Sequence, residues 1–179
     1  MQLTKIVVIT ALLLSTQLVA KERNYIEFRY GIYDGKVKSY TDTASDTTHS
    51  PSLTLGRYLS SDSSYRATIS YDYFNWSDAN ANNISLGIQR VDNLQESLDI
   101  YYGVDVGVFS FKGDALKKGS SKPSLSLRVG LEYPLTDRVE ATVGLRYIYT
   151  GNINIEESQY LYSKVDNMLG GEVGIRWGF

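Results

Sequence analysis

Hydrophobic and polar residues alternate along most of this chain with a period of two. In residues 25–33, Ile26, Phe28, Tyr30 and Ile32 fall on one side, and Glu27, Arg29, Gly31 and Tyr33 on the other. Side chains alternate across a strand, so the pattern predicts a strand with two unlike faces. The same alternation marks residues 52–60, 65–74, 83–90, 98–111, 123–133, 138–150 and 168–179. Each predicted strand has roughly nine to fourteen residues, enough to cross a bilayer when tilted.

The connections alternate in length. Residues 34–51, 75–82, 112–122 and 151–165 read as long polar loops, and 61–64, 91–97 and 134–137 as short turns. Long loops on one side and short turns on the other are the asymmetry of transmembrane barrels. With both termini in the periplasm, every long loop faces outside. An even strand count lets the first strand pair with the last, leaving no open edge.

The polar faces separate a barrel from a soluble sandwich. They carry Gly31, Gly56, Gly87, Gly103, Gly107, Gly130, Gly144, Gly170 and Gly174. Glycine weakens a strand and needs a steric reason. A narrow barrel gives one, because interior space is scarce beside Arg and Tyr. Two residues fit poorly: strict alternation turns Arg57 and Arg90 outward. Either they snorkel at the short-turn end of their strands or a local bulge reorients them.

Composition narrows the picture. Residues 1–20 read as a secretory signal: Lys5, an apolar run at 6–14, then Leu18-Val19-Ala20 before a cut at Lys21. The mature barrel domain is then 21–179. The apolar run is too short for a spanning helix, which needs about 20 residues. Cysteine is absent, which removes thiol catalysis and thiolate metal sites. A net charge of −2 leaves no basic footprint for nucleic acid. The 15 tyrosines, against 5 Phe and 2 Trp, suit interfacial girdles, where the ring is apolar and the hydroxyl is wet.

The predicted inward face holds Glu27, Arg29, Arg66, Asp72, Asp99, Asp105, Arg128, Glu132, Glu140, Arg146, Glu172 and Arg176. Mixed charges in a narrow lumen should pair, with Glu27 and Arg29 meeting Glu172 and Arg176 across the first and last strands. Arginine suits this role because its planar fork binds carboxylates bidentately and keeps its proton. The expectation is an ion network that plugs the lumen. The alternative is a narrow proton or ion path.

The last strand carries the family signal. Leu169, Gly171, Val173, Ile175, Trp177 and Phe179 share its apolar face, and the chain stops at an aromatic in register. The mature chain thereby resembles the small bacterial outer-membrane β-barrels of OmpA/OmpX type. That resemblance implies an all-β fold, an eight-stranded antiparallel up-and-down transmembrane β-barrel in the outer membrane of a Gram-negative bacterium. It implies that Ile175, Trp177 and Phe179 form a signal read by the barrel-assembly machinery. It also implies contact with outer-membrane lipid and lipopolysaccharide, and surface or host ligands at the outer loops, with 34–51 and 151–165 as candidates. No appended periplasmic domain is expected, and a monomer is. The role implied is structural or adhesive, with a narrow pore as the alternative and, behind it, an outer-membrane lipid A-modifying enzyme.

Catalysis and metals find little support. Outer-membrane lipid-modifying barrels use His with Ser and an acid near the outer leaflet. Here His49 and Ser50 are adjacent in a predicted loop, without the His-x-Ser spacing that would share a face, and Ser77 and Asp78 lie in another loop. A solvated loop histidine is expected, and no enzyme. Asp42 and Asp46 lack the spacing of a calcium loop. No metal or cofactor is expected.

Overall fold

A computed structural model describes residues 24–39, 43–60, 63–75, 79–113, 120–156 and 162–179. The predicted signal at 1–20 lies outside the described residues. The strands are β1 (Asn24–Ser39), β2 (Thr43–Tyr58), β3 (Tyr65–Asn75), β4 (Ala79–Gln95), β5 (Leu98–Gly113), β6 (Ser120–Pro134), β7 (Val139–Glu156) and β8 (Tyr162–Gly178). They form one closed antiparallel barrel in sequence order.

Closure is complete at the bottom of the seam. β1 pairs with β8 from Tyr25↔Gly178 upward. Beyond that pair, Phe179 N donates to Asn24 O at 2.8 Å, and Asn24 N to Phe179 O at 3.2 Å. A closed ladder satisfies every strand edge within lipid, where no water can do so.

The two faces are those the alternation predicts. Trp177 is 58% exposed and Arg146 is 0% exposed. Phe28, Leu86, Ile88, Val106, Leu127, Leu145 and Val173 are also exposed outward. A continuous apolar exterior of this size is stable only against acyl chains.

The upper half departs from the sequence-based expectation. The segments read as long loops are mostly strand. β1 and β2 remain paired from Asn24↔Arg57 to Lys38↔Thr43. β7 and β8 remain paired to Glu156↔Tyr162, and β4 and β5 to Ala79↔Gly113. Only 40–42, 76–78, 114–119 and 157–161 separate these strand ends, and they lie outside the described residues. The physical reason is plain. Above the lipid no acyl chain demands an apolar outer face, so apolar alternation stops, yet the backbone ladder continues.

The lower turns are tight. Ser63 N donates to Ser60 O at 3.2 Å, and Ser63 adopts a positive φ of 60°. At the next lower turn, only Glu96 and Ser97 separate β4 from β5.

Candidate functional site

Among the described residues the lumen concentrates charge, and it does so in layers. The lowest layer joins β3, β6 and β8. Arg66 reaches across the barrel, donating from Nη1 to Glu132 Oε2 at 2.9 Å and from Nη2 to Oε1 at 2.5 Å. Its Nε donates to Gln89 Oε1 at 2.7 Å. The Tyr25 and Tyr101 rings lie 5.5 and 5.0 Å from the same guanidinium, within cation–π range. Arg176 Nη1 is 2.7 Å from Glu132 Oε2 and 2.9 Å from Glu140 Oε2, and Nη2 donates to Glu27 Oε2 at 3.1 Å. Both oxygens of Glu132 are therefore committed to arginines.

Glu27 links this layer to the next. Its Oε1 accepts from Thr142 at 2.9 Å and lies 3.1 Å from Arg29 Nε. Arg29 continues to Glu172 at 3.2 Å and Thr54 at 2.8 Å. Above it, Arg128 and Arg146 are register partners on β6 and β7. Like charges directly opposite destabilise a sheet. Two acids clamp the pair: Glu172 lies 3.3 Å from Arg128 and 3.6 Å from Arg146, and Asp105 lies 3.6 and 3.7 Å from them. Arg146 also donates to Asp72 at 2.9 Å. Asp72 in turn accepts from Asn83 at 2.9 Å, and Asn83 from Ser124 at 2.7 Å.

The charges balance with depth. Arg29, Arg66, Arg128, Arg146 and Arg176 are buried, and so are Glu27, Asp72, Asp105, Glu132 and Glu172. The sixth acid of the cluster, Glu140, stands at the lower mouth with its side chain 32% exposed. Paired burial of this kind adds little net stability, but losing one partner strands the other in low dielectric.

A second seal lies above the ions. Tyr33, Phe74, Ala81, Phe109, Phe111, Ile148 and Met168 form a buried apolar cluster inside the barrel. Phe74 packs edge-on against Tyr33 with ring centroids 5.4 Å apart, and 5.4 Å from Phe109. The Tyr33 hydroxyl donates downward to Glu172.

Glycines make room for the inward rings. A Cβ on Gly144 would meet the Tyr101 hydroxyl at 2.6 Å. One on Gly170 would reach the Ile32 carbonyl at 2.5 Å and enter the Tyr33 ring.

Eleven of the twelve expected lumen ions meet in this network. Asp99 does not. It lies at the lower rim, half-buried, and accepts at 3.0 Å from the side chain of Asn93, its register partner at the end of β4. Its strand parity is inward, but β5 begins at Leu98, so Asp99 stands below the closed lumen. Sequence reasoning also overlooked the apolar cap. Its signal was present: Phe74, Phe109 and Phe111 share the inward parity of the polar residues.

His49 and Ser50 were expected in a loop and instead lie in β2. Ser50 points inward and is buried, and His49 points outward and is exposed. His49 Nδ1 is 2.9 Å from the Tyr30 hydroxyl. Outward Tyr71 donates to Asn82 at 2.5 Å, and Asn167 donates to the Tyr147 hydroxyl at 3.1 Å. These cross-strand pairs mark the upper boundary of the apolar exterior, where amphipathic rings belong. Ser77, Asp78 and Asp42 lie outside the described residues, as does the side chain of Asp46. Among the described residues no group of three or more His, Asp or Glu is arranged to hold a metal.

Arg90 points outward at the lower boundary, with no bulge at its Tyr65 pair. Arg90 Nε donates to Asp92 at 2.9 Å, Tyr102 donates to the other oxygen of Asp92 at 2.9 Å, and the guanidinium lies 5.7 Å from the Tyr65 ring centroid. Arg57 keeps regular outward pairing at the same end, opposite Asn24 and Ala67. Snorkelling at the rim accounts for both arginines.

The barrel fold has counterparts among solved structures. Neisserial surface protein A superimposes with a TM-score of 0.67 at 18% identity, covering 87% of this chain and 97% of that one. The chain has the fold of the small Gram-negative outer-membrane β-barrels. The N-terminal barrel domain of Pseudomonas aeruginosa OprF gives 0.59 at 14% identity, covering 89% and 100%. The outer-membrane protein OprG of the same organism gives 0.56 at 14%, covering 89% and 97%. No protein-family model matches the sequence, and no curated protein matches it.

Proposed function

We propose that this outer-membrane barrel is a surface-interaction protein, with a sealed body as its anchor and its upper strands as its working part. The observation that carries this reading is the double seal of the lumen, ionic below and apolar above. A barrel filled this way serves poorly as a conduit. What remains available for function is the sheet that continues beyond the upper tyrosine boundary.

That sheet is uneven. β7, β8, β1 and β2 stay hydrogen-bonded far above the boundary, to Ser39↔Ser163 and Lys38↔Thr43. β2 and β3 part at His49↔Asn75, after Pro51 has interrupted their ladder. Proline cannot donate and so belongs where a ladder loosens. One side of the mouth therefore projects a four-stranded wall. Conserved scaffolds with projecting variable segments commonly carry binding there. The two loops expected to bind, 34–51 and 151–165, are the hairpins of this wall.

The test is to shorten both hairpins, joining β1 to β2 above the Gly35↔Asp46 pair and β7 to β8 above Tyr149↔Asn167. The trimmed barrel should still fold and shift on heating in gel electrophoresis. Bacteria displaying it should lose adherence to surfaces or host cells that the full chain confers. Equal adherence by both forms would remove the support for this reading. Lipid A of unchanged mass in cells expressing the protein is expected as well, and trimmed or acylated lipid A would instead favour an enzyme.

A further inference from the structure

We infer that the middle of the lumen encloses a buried water site, bounded by Thr68, Ser85, Gln89, Asp105 and Arg128. The wall that builds it is set by register. Thr68, Gly87 and Asp105 are consecutive partners on β3, β4 and β5. Ser85 and Gln89 flank Gly87 on the same inward face of β4. All four polar side chains are at least nine-tenths buried, as is Arg128 on β6.

The polar atoms here do not satisfy one another. Thr68 Oγ1, Ser85 Oγ, Gln89 Nε2, both Asp105 carboxylate oxygens and all three Arg128 guanidinium nitrogens lack a hydrogen-bond partner among the described residues. The looseness is local. In the layer below, Arg66 and Arg176 grip Glu132 at 2.5–2.9 Å. Here Arg128 and Arg146 stand 3.6 and 3.7 Å from Asp105 Oδ2, beyond direct hydrogen bonding. Thr68 Oγ1 and Asp105 Oδ1 both lean over Gly87, close enough that a Cβ there would meet the threonine oxygen at 2.6 Å, yet they do not bond.

Chemistry selects the occupant. Asp105 needs donors, while Arg128 and Gln89 Nε2 need acceptors. A cation would face Arg128 and Arg146, and an anion would face Asp105 and Glu172. A neutral molecule that both donates and accepts meets every demand, and the apolar cap above leaves no route for a large one. Water is that molecule, and buried waters typically make about three such bonds. Arg128 keeps Glu172 at ion-pair distance, 3.3 Å, but leaving its nitrogens and the Asp105 carboxylate without hydrogen bonds in low dielectric would otherwise be costly.

The test uses the labelled full barrel in lipid nanodiscs and water-selective NMR. Cross-peaks to long-lived water are expected at the Arg128 Nε–H and at Thr68, and the Thr68→Val variant should lose the one at residue 68 while keeping that at Arg128. A crystal structure of the unaltered protein, fine enough to place waters, should show ordered water joining Asp105 to Thr68 or Arg128. Direct Asp105–Arg128 contact with no water in the layer would overturn the inference. So would a bound ion in the layer, or the absence of water cross-peaks from the unaltered protein.

Discussion

Tyr33 donates its hydroxyl to Glu172, and this one bond joins the two seals of the lumen. The ring belongs to the apolar cap and the acid to the ion network. The two halves of the residue can therefore be tested apart. Tyr33→Phe keeps the ring against Phe74 and removes the donor. A hydrogen bond to a charged partner contributes about 1.5–3 kcal/mol, and loss of that order is expected in urea unfolding from detergent micelles. Tyr33→Ala should cost more, because it also opens a cavity in the cap, where large aromatic truncations cost about 3–5 kcal/mol. Equal losses from both variants would mean that the ring does not pack as described.

Glu132 is shared by Arg66 and Arg176 through contacts of 2.5–2.9 Å. Glu132→Gln keeps its shape but leaves two buried guanidiniums short of charge. The expected destabilisation is about 3–5 kcal/mol, seen as a lower temperature for the heat-modified band shift. Asp99→Asn is the control. Asp99 stands outside the network at the rim, so its loss should leave that temperature nearly unchanged.

Adjacent glycines on β8 give a test of the packing. Gly170 faces inward, where a Cβ would meet the Ile32 carbonyl at 2.5 Å, whereas for outward Gly171 the nearest atom is 4.0 Å away. Gly170→Ala should destabilise by about 1–3 kcal/mol, the usual cost of overpacking. Gly171→Ala should be neutral or mildly stabilising, since alanine costs less chain entropy than glycine. The reverse order would place the lumen on the other face of the strand.

Trp177 tests which side meets lipid. It is 58% exposed on the apolar exterior. In a Trp76→Phe background it is the sole tryptophan. Brominated acyl chains should quench its fluorescence strongly, and an aqueous quencher weakly. Quenching by the aqueous reagent alone would reverse the inside and outside of the barrel.

Much of this was legible in the chain because lipid enforces alternation. Where one face touches acyl chains, as with Phe28, Leu127 and Val173, each apolar residue is matched by an inward polar one. Glycines beside Tyr101 and Tyr33 followed from the same crowding. The upper strand ends were hidden, since Gly35 and Asp46 pair above the lipid where nothing requires an apolar face. The cap was hidden for the opposite reason: Phe109 and Met168 break the polar rule of the interior, and parity alone places them inside. Which arginine meets which acid across the barrel, as Arg66 meets Glu132, depends on shear and is not written in any local pattern.

The central claim is that ions and the apolar cap together close the lumen. Purified protein inserted into planar bilayers tests it directly. Silent membranes are expected, with rare unitary events at most, across applied voltages that leave the bilayer intact. Steady open currents from the unaltered protein, changed in size or selectivity by Arg146→Ala, would contradict the account.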